Sequence, residues 1–215
     1  MLQVPMPLAS QAHAQYRAVT RFKNLDGVRF IAIAMVLWHH APPLTGIRLL
    51  DRGFLGVDFF FVLSGFLITT LLLREAALRG RFSLPAFYMR RALRIIPVYF
   101  FVVSGVGAYY VLLRGDTALA GLLPYYYLFL SNFLTSDIPT LSITWSLSME
   151  EQYYLIWPAL LALLPRRWVL PVLVALIGLN ALFAIGVLGR DPATLGPLAF
   201  ALPRATFAPI LMGSA

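Results

Sequence analysis

Arg29 and His40 stand eleven positions apart in an otherwise apolar stretch that runs from Leu25-Asp26-Gly27-Val28-Arg29 to Trp38-His39-His40-Ala41. Ionisable side chains are costly inside a membrane span, so such a pair marks a functional site by default. At roughly 100° per residue, eleven positions return to within about 20° of the starting face, ~16 Å further along a helix. His40 therefore shares the face of Arg29, whereas His39 is turned away by about 80°. One helical face carries a cation at one end and a titratable base near the other.

Three further groups have the right types for chemistry. Glu150 and Glu151 lie in Trp145-Ser-Leu-Ser-Met-Glu150-Glu151-Gln152-Tyr153, about one and a half turns into an apolar helix. Adjacent helical positions point about 100° apart, so the two carboxylates have different partners: one a catalytic base and the other an arginine, or both an acidic first turn favoured by the helix dipole. Arg90, Arg91 and Arg94 are spaced three and four apart and share a helical face. Guanidinium forks bind oxyanions in bidentate fashion, which suits phosphates; topology signal and contact with lipid phosphates explain the same charges. Asp58 opens the apolar run Gly53–Thr69 and needs a partner, with Arg29, His40 and Arg52 as candidates, unless it fixes packing or caps the helix. Ser146 and Ser148 read as caps, and Ser64 as a packing residue.

The elements that position these groups are membrane helices. Hydrophobic residues make up 60% of the chain and charged residues only 12%, about half the share of a soluble domain. The net charge of +8 comes from bases clustered at the ends of apolar runs, which speaks for positive-inside topology and against nucleic acid. With no cysteine, disulfides, thiol nucleophiles and thiolate metal sites are excluded. His13, His39 and His40 lack ligand spacing with carboxylates, so no metal site is expected.

Apolar segments fall at 27–41, 53–73, 95–113, 119–134, 145–164, 168–189 and 198–215. The pattern predicts an all-α, polytopic transmembrane bundle of about six to seven helices. Pro42-Pro43 should close the first helix and Pro165 the fifth. Gly53 and Gly56, then Ser64 and Gly65, form small faces that permit close helix contact. Residues 1–24 are polar and proline-bearing and read as a disordered cytoplasmic tail, with the membrane domain occupying 25–215. Basic residues before the first helix, and again from Arg74 to Arg94, put both of those ends in the cytoplasm.

Taken together these blocks resemble the acyltransferase family 3 of bacterial integral membrane O-acyltransferases. The matching stretches are Leu25-Asp26-Gly27-Val28-Arg29 with His40, Gly53–Gly65, Phe87-Tyr88-Met-Arg90-Arg91-Ala-Leu-Arg94-Ile-Ile-Pro97, and Trp145–Tyr153. The family's pattern of an arginine, ten residues and a histidine falls on Arg29 and His40. The resemblance implies transfer of an acyl group, commonly acetyl, from an acyl-CoA donor to a hydroxyl of a cell-envelope or extracellular carbohydrate. It implies a multi-pass protein of the bacterial plasma membrane with a cytoplasmic N-terminus. His40 would be the general base or a transient acyl carrier, with Glu150, Glu151 and Asp58 in the catalytic set. Arg90, Arg91 and Arg94, extended inward by Arg29, would hold donor phosphates. Family members usually have about ten spanning helices, so the chain is expected to be incomplete at its C-terminus. The same intramembrane charges fit a transport or assembly subunit for a lipid or glycan, and an inactive fragment would also retain them.

Overall fold

The computed structural model describes residues 23–40, 53–185, 193–195, 197–200 and 207–215. It is all-α apart from one short hairpin. The helices are α1 (Lys23–His40), α2 (Leu55–Arg79), α3 (Leu84–Ala108), α4 (Leu123–Tyr127), α5 (Trp145–Leu163), α6 (Arg166–Ala184) and α7 (Ala208–Ser214). Strands β1 (Ala193–Leu195) and β2 (Leu198–Phe200) pair antiparallel, with Thr194 opposite Ala199. The chain divides into two compact units, 1–63 and 64–215.

Among the described residues, two helices are long and apolar enough to cross a membrane: Leu55–Arg79, and α3 with its π-helical extension to Leu113. At ~1.5 Å per residue, the 25 residues of α2 exceed the ~30 Å of a hydrocarbon core. Large apolar side chains such as Phe30, Leu37, Phe101 and Leu113 face outward, which suits a hydrocarbon surround better than water. Helix α2 ends at Gly80, whose φ of 75° closes the helix in the left-handed conformation that glycine adopts without strain.

The basic stretch after α2 is helical from Leu84 onward. Ser83 caps α3 by accepting the backbone N–H of Ala86 at 3.4 Å, and Pro85 suits the first turn. Arg90, Arg91 and Arg94 therefore ride on the first turns of the same helix that continues into the apolar run.

Two expected helices are broken. Residues 119–134 do not form one span: a 3₁₀ turn (Thr117–Leu122), the short α4 and a second 3₁₀ turn (Ser131–Phe133) replace it. The segment packs between distant elements instead. Tyr99 and Val103 of α3, Leu122 and Tyr126, and Ile138 and Leu141 bury together. The Tyr99 hydroxyl donates to the Tyr126 carbonyl at 2.9 Å, and the Tyr126 hydroxyl accepts the Ile138 N–H at 3.0 Å. The first bond adds to the 2.9 Å bond that the Tyr126 carbonyl accepts from the Phe129 N–H, and the second pairs a backbone N–H just beyond the segment. Segment 198–215 likewise opens with β2 and closes with the seven-residue α7.

Within the first unit, a methyl added at Gly53 or Gly56 would collide with the carbonyl oxygen of Met35 or Ala32, so the small face lies directly against α1. In the second unit Gly65 stands in the same relation to the carbonyl of Ile210 in α7. Residues 1–22, including nearly all of the expected tail, and Pro42-Pro43 lie outside the described residues; α1 itself starts at Lys23, inside the boundary expected for the tail.

Candidate active site

Arg29, His40 and Asp58 belong to the first unit, and Arg90, Arg91, Arg94, Glu150 and Glu151 to the second. The first set begins with one uninterrupted helix. Because α1 runs from Lys23 to His40 without a break, Arg29 and His40 keep the common face that their spacing predicts. The Arg29 guanidinium lies 3.8 Å from Asp26, one turn earlier, while its Nε is buried without a hydrogen-bond partner.

His40 is exposed, and its Nδ1 is 2.8 Å from the Val36 carbonyl oxygen. A carbonyl only accepts, so Nδ1 carries the proton and donates it. The lone pair is thereby left on Nε2, which points away from that bond and is the basic nitrogen. His39 is packed differently: its ring meets Phe54 edge-on at 6.0 Å and the His40 ring at 5.4 Å.

Asp58 is half-buried in the first turn of α2. Among the described residues no hydrogen bond or ion pair reaches it. Neither Arg29 nor His40 closes on it, and Arg52 lies outside the described residues. Its place agrees with a carboxylate favoured by a helix N-terminus.

In the second unit α5 is the post to which the other elements are tied. Trp157 donates from Nε1 to the Thr69 hydroxyl of α2 at 2.8 Å, Tyr88 of α3 donates to the Leu155 carbonyl at 2.7 Å, and Tyr153 bonds Ser214 of α7. Gln152 donates to the Phe129 carbonyl and to Asn132, both at 2.8 Å. Ser148 bonds Ser131 at 2.8 Å, while Ser146 bonds back to the Ile143 carbonyl; neither serine caps the helix, which has no side-chain cap.

The two glutamates part company as their 100° separation requires. Glu150 is buried, and one of its oxygens accepts the hydroxyls of Ser64 at 2.6 Å and Tyr154 at 2.8 Å. Glu151 faces a different cavity of about 280 Å³, lined by Tyr88, Arg91, Ile96, Phe129 and Tyr154 among others. The Arg91 guanidinium is stacked on the Tyr154 ring at 3.6 Å. Arg90 and Arg94 are exposed, with Arg90 3.8 Å from Glu75 of α2.

Sequence reasoning missed Ser64, Tyr88, Gln152 and Tyr154. Ser64 looked like one more small residue on a packing face, yet it donates to Glu150. Tyr154 carried a usable signal: it stands four residues after Glu150, within reach along one helical face.

The family described as an acyltransferase domain matches residues 22–214. The peptidoglycan O-acetyltransferase OatA of Listeria monocytogenes is 36% identical over 192 residues, 79% of this chain and 30% of that protein. A Bacillus subtilis protein provisionally named a peptidoglycan O-acetyltransferase, YrhL, is 32% identical over 190 residues, 79% of this chain and 29% of its own length. A Staphylococcus aureus protein provisionally named an O-acetyltransferase is 32% identical over 169 residues, 72% of this chain and 27% of its own. The chain thus spans under a third of the length of these relatives. No solved structure matches it.

Proposed function

Because the chain belongs to the acyltransferase family 3, we propose that it carries the membrane part of an O-acyltransferase, which moves an acetyl group from an acyl-CoA donor to a hydroxyl of a cell-wall carbohydrate. The observation that carries the reading is the His40 imidazole: exposed, held through Nδ1 by the Val36 carbonyl, with Nε2 free to take a proton. A base needs that combination of fixed tautomer and access.

In the reaction, His40 Nε2 removes the proton from the acceptor hydroxyl. The oxygen attacks the thioester carbonyl and forms the new C–O bond. The C–S bond then breaks, and the leaving thiolate takes the proton from the imidazolium, so CoA departs as the thiol and His40 returns to neutral. Arg90 and Arg94, both exposed, hold phosphates of the donor, and Arg29, about three turns before His40 on α1, adds positive charge for the same phosphates. Asp58 takes the place of a charged neighbour on α2 rather than a direct partner of the base. The names of the Listeria and Bacillus relatives support peptidoglycan as the acceptor class. The enzyme is a multi-pass protein of the bacterial plasma membrane with its N-terminus in the cytoplasm, as the early basic clusters favour.

The test is CoA release by the chain in membranes supplied with acetyl-CoA and peptidoglycan fragments. Wild-type activity that persists in His40→Ala overturns the assignment of the base. Binding and translocation of a glycan without CoA release favours a transport subunit instead.

A further inference from the structure

The cavity of about 280 Å³ beside α5 holds two opposite charges that do not meet. Arg91 Nε is buried without a hydrogen-bond partner, and so is Glu151 Oε1. No ion pair within 4.0 Å joins the two side chains, although both line the same cavity. A buried donor or acceptor left unmade costs about 1–3 kcal/mol, more for a charged group, so two in one cavity ask for an occupant.

The other polar groups lining the cavity are already engaged. Tyr88 donates to the Leu155 carbonyl and Tyr154 to Glu150. The Gln152 amide donates to Phe129 and Asn132, and its oxygen accepts from Asn132 at 3.4 Å. What remains both buried and without a partner is one N–H donor and one oxygen acceptor, framed by Ala92, Ile96, Leu128, Phe129 and Leu155. That is the complement of an amide: its carbonyl towards Arg91, its N–H towards Glu151, and aliphatic chain on either side. The guanidinium and one wall of the cavity are fixed beforehand. Stacking on Tyr154 holds the guanidinium, and Phe129, at a φ of 54°, is kept in a conformation uncommon for its type by the bond from Gln152 to its carbonyl.

We propose that this cavity binds the amide-bearing pantetheine arm of the acyl-CoA donor, with Glu151 and Arg91 reading one of its amides. The proposal rests on the acyltransferase reading and divides the arginines of α3. Arg90 and Arg94 are exposed to phosphates in solution, Arg90 from beside Glu75; Arg91 is turned onto Tyr154 and serves the arm. Glu151 is then a binding residue for the donor, distinct from Glu150, which is tied to Ser64 and Tyr154.

The experiment is binding of three probes to the full chain in nanodiscs: coenzyme A, 4′-phosphopantetheine and adenosine 3′,5′-bisphosphate. Glu151→Leu should weaken the first two by about tenfold, the loss expected for one hydrogen bond to a charged group, and leave the nucleotide unchanged. Glu151→Gln retains an acceptor oxygen and should stay within about threefold of wild type, which controls for folding. Arg90→Ala with Arg94→Ala should instead weaken coenzyme A and the nucleotide together. If Glu151→Leu leaves all three affinities unchanged, water alone bridges the gap and the inference falls, while coenzyme A binding by wild type keeps the donor reading. An equal loss for all three probes also overturns it. If the wild-type chain binds none of them, the donor reading itself fails.

Discussion

His40 and Glu150 are both titratable groups on largely apolar helices, and they are held in opposite ways. His40 is exposed, with one bond to the carbonyl four residues back on its own helix. Glu150 is 6% exposed and accepts hydroxyls from two residues, one of them on another helix. A side chain held as Glu150 is held fixes its neighbours, because its removal leaves two buried hydroxyls to be satisfied elsewhere. A side chain held as His40 is held has its reactive atom left over. On the function proposed above, the difference separates a group that holds helices together from one available to a substrate.

The largest expected effect falls on catalysis alone. His40→Ala should lower acyl transfer by roughly 10²–10⁴-fold, the range for loss of a general base, while shifting unfolding by no more than ~0.5 kcal/mol, as for an exposed position. His39→Ala should retain transfer within about threefold, since its ring packs on Phe54 and lies off the face shared with Arg29. CoA release and detergent-induced unfolding, measured on the same preparations, separate the two outcomes. A His40→Ala protein that loses its fold together with its activity would break the contrast with Glu150.

The second effect falls on stability. Ser64→Ala leaves Glu150 with one hydroxyl fewer and should cost about 1–3 kcal/mol of unfolding free energy. Tyr154→Phe also removes one hydroxyl but keeps the ring under Arg91, so its cost should lie at the lower end of that range. Gly65→Ala tests the same helix from its backbone. The added methyl meets the Ile210 carbonyl, and overpacking of that kind costs about 1–3 kcal/mol. A Ser64→Ala protein as stable as wild type would mean that Glu150 is no more structural than His40.

How far the sequence could be read follows the same division. Properties set by one helix were legible. The shared face of Arg29 and His40 needs only the 3.6-residue period, and the divergence of Glu150 from Glu151 needs only that adjacent positions point about 100° apart. The small face at Gly53 and Gly56 was legible for a similar reason, since close approach needs missing side chains whatever the partner helix is. Properties set between elements were not legible. Nothing in hydropathy distinguishes 119–134 from a short span, because the packing that goes with the break, including the bond from Tyr99 to the Tyr126 carbonyl, reaches across 27 residues of chain. Ser64 and Glu150 are 86 residues apart, and no local pattern links them. The engaged state of Tyr88 and Gln152 depends on the same long-range packing.

The smallest expected effect lies outside the apolar helices, at Asp137, which precedes the 3₁₀ turn Pro139–Thr144 and accepts the Tyr126 hydroxyl at 3.4 Å. Burial raises its carboxyl above 3.8, and the bond from Tyr126 only partly offsets that. The folded state therefore holds this proton more tightly than the unfolded chain does. Stability from Asp137 is fully present below 3.8 and is lost as pH rises through the higher folded-state value. Asp137→Asn, which cannot ionise, should flatten that part of the dependence of the unfolding midpoint on pH. The change should be small, because Asp137 keeps much of its surface in solvent. A midpoint that instead rises with pH in wild type and flattens in Asp137→Asn would mean that the Tyr126 bond outweighs burial. Asp137 would then be held in its charged form, as a second built-in carboxylate beside Glu150.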